Sequence, residues 1–159
     1  MILWVLRQLL YLRNTFKTQD TARQMAWGLA LGMLVGVVPK GNLLAPLLAM
    51  SIVATRVNLA TAMLGAVGFS LLGSVFDPVS HRIGISLLTA DSLRGIWIWL
   101  YHLPVVPWTN FNNTVVLGSL LGGLMGAYPC YRLSLPWFEQ WRTYLDRKQE
   151  KQEAPSESN

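Results

Sequence analysis

MAWGLALGMLVGVVPKGNLLAPLLAMSIVATR, residues 25–56, is the stretch on which the fold turns. Met25–Val38 is an uncharged run of 14 residues that stops at Pro39-Lys40-Gly41-Asn42, and Leu43–Thr55 supplies 13 more before Arg56. A helix that crosses a bilayer needs about 20 consecutive apolar residues, so neither run suffices alone. A single helix over 25–55 would be too long and would enclose a lysine and two prolines, Pro39 and Pro46, against the cost of proline inside a helix. Two half-length arms around a Pro-Gly turn resolve the conflict as a re-entrant hairpin that enters and leaves on one side. Irregular backbone at that depth requires protein or a water-filled cavity around it. The competing reading is a pair of short, tilted spans joined by a short loop; the hairpin is preferred.

Outward from this stretch, Val57–Phe76 is apolar and long enough to span, with a predicted stop at Asp77-Pro78. Thr114–Tyr131 is the second span, predicted to end at Arg132. Between them, Ser92–Val106 carries Trp97, Trp99 and Tyr101 and ends at Pro104 and Pro107. It leads into Trp108-Thr109-Asn110-Phe111-Asn112-Asn113, a second broken apolar segment with an uncharged polar tip. Residues 79–91, with His81, Arg82 and Asp91, read as a short amphipathic segment on the outer face. The expected fold is an all-α integral membrane protein. It has two full transmembrane helices, re-entrant helical hairpins, and interfacial N- and C-terminal helices. Its parts are an interfacial helix over 1–20, a membrane domain over 21–132, an amphipathic surface helix over 133–150 and a disordered tail over 151–159. The surface helix sets Trp137, Phe138, Trp141, Tyr144 and Leu145 on one stripe.

Composition agrees. Of 159 residues, 13% are charged and 52% apolar, where soluble domains carry about a quarter charged, and mean hydropathy is positive. Residues 24–39, 41–55, 57–76 and 95–131 contain no Asp, Glu, Lys or Arg, which leaves too little polar surface for a soluble domain. The net charge of +5 sits at the ends of apolar runs. Arg7, Arg13, Lys17 and Arg23 precede the first run, and Arg132, Arg142, Arg147, Lys148 and Lys151 follow the last. That is the positive-inside pattern and predicts both termini in the cytoplasm. A nucleic-acid partner would want those charges on one folded face with interleaved aromatics, a pattern absent here. The single Cys130 excludes an internal disulfide. Met1–Leu6 is cut by Arg7 with no small-x-small site after it, unlike a signal peptide.

Two internal echoes follow. Gly28, Gly32 and Gly36 recur every fourth residue with Pro39 three residues on, and Gly118, Gly122 and Gly126 repeat this with Pro129. Such stripes let helices approach closely in lipid and imply one tight bundle, a homodimer, another membrane-protein partner, or a combination. Ala62, Ala66, Ser70 and Ser74 give the long span a similar face. The second echo sets VVPKGN (37–42) against VVPWTN (105–110). The offsets differ, so one duplication does not explain both, but hairpins meeting from opposite faces fit an inverted-repeat architecture with a site near the midplane.

ARQMAWGLALGMLVGVVPKGNLLA (22–45), the pair Arg56 and Asn58, Asp77-Pro-x-x-His-Arg, and VPWTNFNNTVVLGSLLG (106–122) resemble a family of small bacterial membrane proteins grouped as domain of unknown function 2062. The likeness covers about residues 20–130. It implies a bacterial inner-membrane protein and names no activity or substrate.

Candidate chemistry centres on the two turns. A lysine inside the bilayer costs about 2.5–3.5 kcal/mol on insertion scales and usually faces a cavity, a partner or a ligand. Lys40, Gly41 and Asn42 would offer a cation, an open backbone and amide donors to a lipid phosphate or carboxylate; the alternative is that Lys40 snorkels to an interface. Trp108, Asn110 and Asn112 extend the polar set, Arg56 is a further phosphate-binding candidate, and Asn113 reads as a helix cap. Asp77, His81 and Arg82 read as a solvated boundary, and His102 as an aromatic-belt residue. Metal-ligand spacing, a nucleophile elbow and a phosphate loop are all missing, so neither a cofactor nor enzymatic activity is expected. The expected role is binding or translocating an anionic lipid or other amphipathic anion. The alternative is a non-transporting scaffold packing through its glycine stripes.

Overall fold

The computed structural model describes residues 20–153. Five α-helices account for most of them: α1 (Ala22–Val37), α2 (Leu44–Val53), α3 (Leu59–Leu88), α4 (Arg94–Tyr101) and α5 (Thr114–Glu153). Short 3-10 turns occupy Asp91–Leu93 and Val106–Thr109. The expected interfacial helix over 1–20 lies outside the described residues except for Asp20, and of the tail expected over 151–159 the described part, 151–153, is instead the end of α5.

Helices α1, α3 and α5 pack against one another as a three-helix bundle. Gly28 lies against Asn58 and Thr61, Gly32 against Ala62, and Gly36 against Ala66 and Phe69, so α1 and α3 run parallel. Helix α5 runs the other way, with Gly123 against Leu34, Gly126 towards Met33 and Phe138 buried on Met25 and Ala26. Two parallel neighbours require the chain between them to come back. It does so through α2. The Asn58 amide donates to the Gln24 carbonyl at 3.2 Å, and Gln24 Nε2 donates to the Arg56 carbonyl at 3.1 Å. Residues 22–58 therefore leave and return to one end of the bundle, here called the base. The last turn of α1 sits beside Gly73, halfway along α3.

The helix starts explain these boundaries. Thr21 and Gln24 form a reciprocal capping box at α1, which satisfies two of the amides that a helix N-terminus leaves unpaired. At α2, Asn42 Oδ1 accepts from the Leu44 and Ala45 amides at 2.9 and 3.2 Å. Pro46 follows in the first turn, where its missing N–H costs nothing. Asn58 caps α3 by accepting the Thr61 amide at 2.7 Å, and Asn113 caps α5 by accepting Val115 and Val116, as expected.

Two expected helix ends are overturned. Helix α3 continues through Asp77-Pro78 to Leu88, so residues 79–88 are its last turns and not a separate outer segment. Helix α5 continues through Pro129, Arg132 and Pro136 to Glu153, so the expected surface helix is its direct extension. Packing on both flanks overrides the local break in each case. Below Pro78, Gly73 meets the end of α1; above it, Ser80 and Gly84 of α3 meet Gly118 and Thr114 of α5 at backbone contact. Beyond Arg132, Phe138 is buried, and just before it Tyr131 stacks on Trp27 with centroids 4.4 Å apart.

At about 1.5 Å per residue, the 30 residues of α3 extend about 45 Å. Both α3 and α5 are long and apolar enough to cross a membrane. Their outward faces remain apolar: Leu71, Val75, Met125 and Leu133 are each 70% or more exposed, the kind of surface that marks a membrane or protein interaction face.

Candidate functional site

The two turns singled out in the sequence meet. The Leu43 amide donates to the Trp108 carbonyl at 3.1 Å, joining the tip of the α1–α2 hairpin to the tip that follows α4. Helix α1 delivers the first tip. Its last carbonyls lack intrahelical partners, and the Lys40 ammonium donates to one of them, the Gly36 carbonyl. A cation is favoured there by the negative end of the helix dipole. An ammonium has three donors, and the other two find no partner among the described residues. Gly41 is exposed with open space around it. Asn42 is committed to the turn, because its Nδ2 also donates to the Pro39 carbonyl at 2.7 Å. It shapes the tip instead of offering free donors.

The second tip is held in an unusual backbone. Val105 has φ 77° and Asn110 φ 54°. Asparagine enters the left-handed region readily, whereas for a β-branched residue it carries strain of about 1–3 kcal/mol. Trp108 stands 73% exposed above this turn. Phe111 is buried beneath it, between Trp97 and Tyr101 at centroid distances of 6.2 and 6.3 Å. Asn110 follows Trp108 at the tip. Asn112 faces a separate hollow beside Tyr101, His102 and Leu88. Arg56 stands apart at the base, where its carbonyl serves Gln24. Lys40, Gly41, Trp108 and Asn110 therefore lie on the two tips that the Leu43–Trp108 hydrogen bond joins, with Asn42 as scaffold.

Beside the joined tips runs a groove of about 260 Å³. Helix α1 is much shorter than its neighbours, and beyond Val37 it leaves α3 and α5 without a third partner. Met33, Val37, Phe69, Phe76, Val79 and Ile83 form the walls, and Gly122, Gly123 and Gly126 the floor. The glycine stripes thus divide their work. Gly28, Gly32, Gly36 and Gly118 are pressed against backbone or Cβ atoms of α3, whereas a Cβ on Gly122 would meet only Ile83 Cδ1 at 4.0 Å, and one on Gly126 only Met33 Cε at 3.3 Å. Gly65, Gly84 and Gly123 complete the contacts without having stood out in the sequence.

Asp77 also changes place. The continuous α3 puts this half-buried carboxylate within a candidate membrane-spanning helix, one turn beyond Gly73, and not at a solvated boundary. The matched spacing of Ser80 and Gly84 with Thr114 and Gly118 was the signal that the helix runs on. His81 Nδ1 lies 2.6 Å from Thr114 Oγ1, tying the same two helices. Among the described residues no three His, Cys, Asp or Glu side chains come together in a way that would hold a metal.

A sequence model of the family described as uncharacterized protein conserved in bacteria (DUF2062) matches residues 7–147, and the chain belongs to that family. The match reaches further at both ends than the expected 20–130. An uncharacterized protein of Treponema pallidum (strain Nichols) is 28% identical over 141 residues, covering 89% of this chain and 87% of its own length. No solved structure matches the chain.

Proposed function

Starting from that family membership, we propose that the chain is a multi-pass inner-membrane protein that binds, and passes between leaflets, an amphipathic anion. The hydrogen bond from Leu43 to Trp108 carries this reading, because it unites two irregular segments around an ammonium that retains donor capacity.

Depth supports it. About 45 Å of α3 matches a bilayer with its head-group regions, about 40–45 Å, and the end of α1 lies beside Gly73 at half that length. The 22–58 hairpin is then re-entrant, with its tip at 39–42 near the midplane, where broken helices commonly place a substrate site. Arg23, Arg56, Arg142 and Arg147 lie on segments at or beyond the base, which supports a cytoplasmic base by the positive-inside pattern. Asp77 brings a carboxylate into the same stretch of the bundle. No enzymatic step is invoked. The scaffold alternative loses ground because most striped glycines are already engaged within the chain.

Two measurements test the reading. In a Cys130→Ser background, Lys40→Cys should react slowly with membrane-impermeant thiol reagents from either side; rapid labelling from one face would place the tip at a surface. In nanodiscs, the wild-type protein should prefer phosphatidylglycerol to phosphatidylcholine as bound lipid. Lys40→Met should reduce that preference about tenfold, consistent with a charge-assisted hydrogen bond of about 1.5–3 kcal/mol, while Lys40→Arg keeps it within about threefold. Equal retention by Lys40→Met and wild type refutes the head-group site.

A further inference from the structure

The groove beside the tips has a construction that helix packing does not explain. Where glycines serve close contact in this protein, an added Cβ would collide with backbone: Gly32 with Ala62, Gly84 with Thr114, Gly118 with Ser80. Gly122 and Gly126 are different. Each has room for a methyl group or nearly so, and both line the groove. Their missing side chains open a hollow and bring no helix closer. The hollow is walled by apolar side chains from three helices, and at Phe76 and Val79, 46% and 57% exposed, it opens onto the outward apolar surface. One turn of an α-helix, about 5.4 Å long and about 10–12 Å across with its side chains, already exceeds the groove's volume of about 260 Å³. A single flexible chain fits.

One end of the groove is marked by charge. Val37 lines it, and the residue before, Gly36, accepts the hydrogen bond from Lys40. The Gly36 carbonyl in turn looks towards Gly73, which falls between the groove residues Phe69 and Phe76 on the same stripe of α3. Cation and hydrocarbon slot are therefore adjacent, an arrangement that suits a ligand with an anionic end and an aliphatic tail.

We propose that the groove holds one hydrocarbon chain of the anion whose head is held at Lys40, so that the substrate class is single-chain or chain-splaying anionic lipid and not a small hydrophilic anion. This rests on the head-group reading above and adds the tail site to it. The occupant is committed: one aliphatic chain, seated between Phe76, Val79 and Ile83 of α3 and the glycine floor of α5.

The test uses the full chain in phosphatidylcholine nanodiscs with dodecyl phosphate carrying a diazirine at its terminal carbon. Photolabelling mapped by peptide mass spectrometry should fall on residues 76–83 and 119–126, and should drop at least fivefold in Gly122→Leu, whose side chain would occupy the slot. Val79→Trp fills the groove from its exposed rim and gives the same result should the leucine variant fail to fold. Labelling that persists in both folded variants, yet falls with Lys40→Met, overturns the tail site and leaves the head site standing. Labelling lost in both groove variants but insensitive to Lys40→Met does the reverse. Label scattered over Leu71, Val75 and Met125 as strongly as over the groove would show bulk lipid contact and defeat the proposal.

Discussion

Gly118→Ala should destabilise the protein by about 2–3 kcal/mol, at the upper end of the range for forcing volume into a packed contact. The added methyl group would fall on the backbone of Ser80 and Gly84, which has no rotamer through which to escape. The only relief is to push α5 away from α3, and that also breaks the reciprocal contact of Gly84 with Thr114 and the His81–Thr114 hydrogen bond. Four residues along the same helix, Gly122→Ala should do the opposite. Its Cβ has room, and alanine is about 0.8–1 kcal/mol better than glycine within a helix. Reversible unfolding of the purified protein in mixed micelles reads both. The close crossing described here is wrong if the two alanines shift stability in the same direction by the same amount.

The second large effect is expected at Asn58, which is 2% exposed and ties the start of α3 to the start of α1 and to Asp20 before it. Its Oδ1 caps α3 through Thr61, its Nδ2 donates to Asp20 Oδ2 at 2.7 Å, and its backbone amide reaches Gln24. Asn58→Ala removes a cap of about 1 kcal/mol and a hydrogen bond to a charged acceptor of about 1.5–3 kcal/mol, for a total near 3 kcal/mol. Asn58→Ser returns the cap alone and should recover about a third. Asn58→Asp keeps the capping oxygen but sets a second carboxylate against Asp20, and should be no better than alanine at neutral pH. Hydrogen exchange at the start of α3 gives a direct view: the Thr61 and Ala62 amides should lose protection in Asn58→Ala and regain most of it in Asn58→Ser. Equal protection in all variants would remove Asn58 from this role.

Much of this was legible residue by residue. The breaks at Pro39–Asn42 and Pro107–Asn113 announce themselves because proline, glycine and asparagine interrupt apolar runs too short to span, and both turns are present. Asn113 was readable as a cap because its chemistry is local. Asp77-Pro78 and Arg132 misled for the converse reason. Each is a sound local stop, and each is overruled by contacts with residues dozens of positions away, Gly118 and Thr114 in one case and Met25 and Ala26 in the other. The parallel course of α1 and α3 was hidden because glycine spacing states that a face is flat without saying which partner it meets. The two roles of glycine on α5 were hidden as well: Gly118 and Gly122 look alike in sequence, and only the presence or absence of Ser80 opposite separates them. Asn42 looked like a ligand group and proves to be the fastener of its own turn.

The pairing of the first described helix with the last sets an order of assembly. Helix α1 gains its neighbours from residues made later: Ala62 and Phe69 of α3, then Leu34's contact at Gly123, then Met25's contact at Phe138. The excursion between α1 and α3 is too short to stand as a span by itself, so it draws its support from neighbours that follow it in the chain. The contacts that hold α1 are complete only once residues as far along as Phe138 are in place.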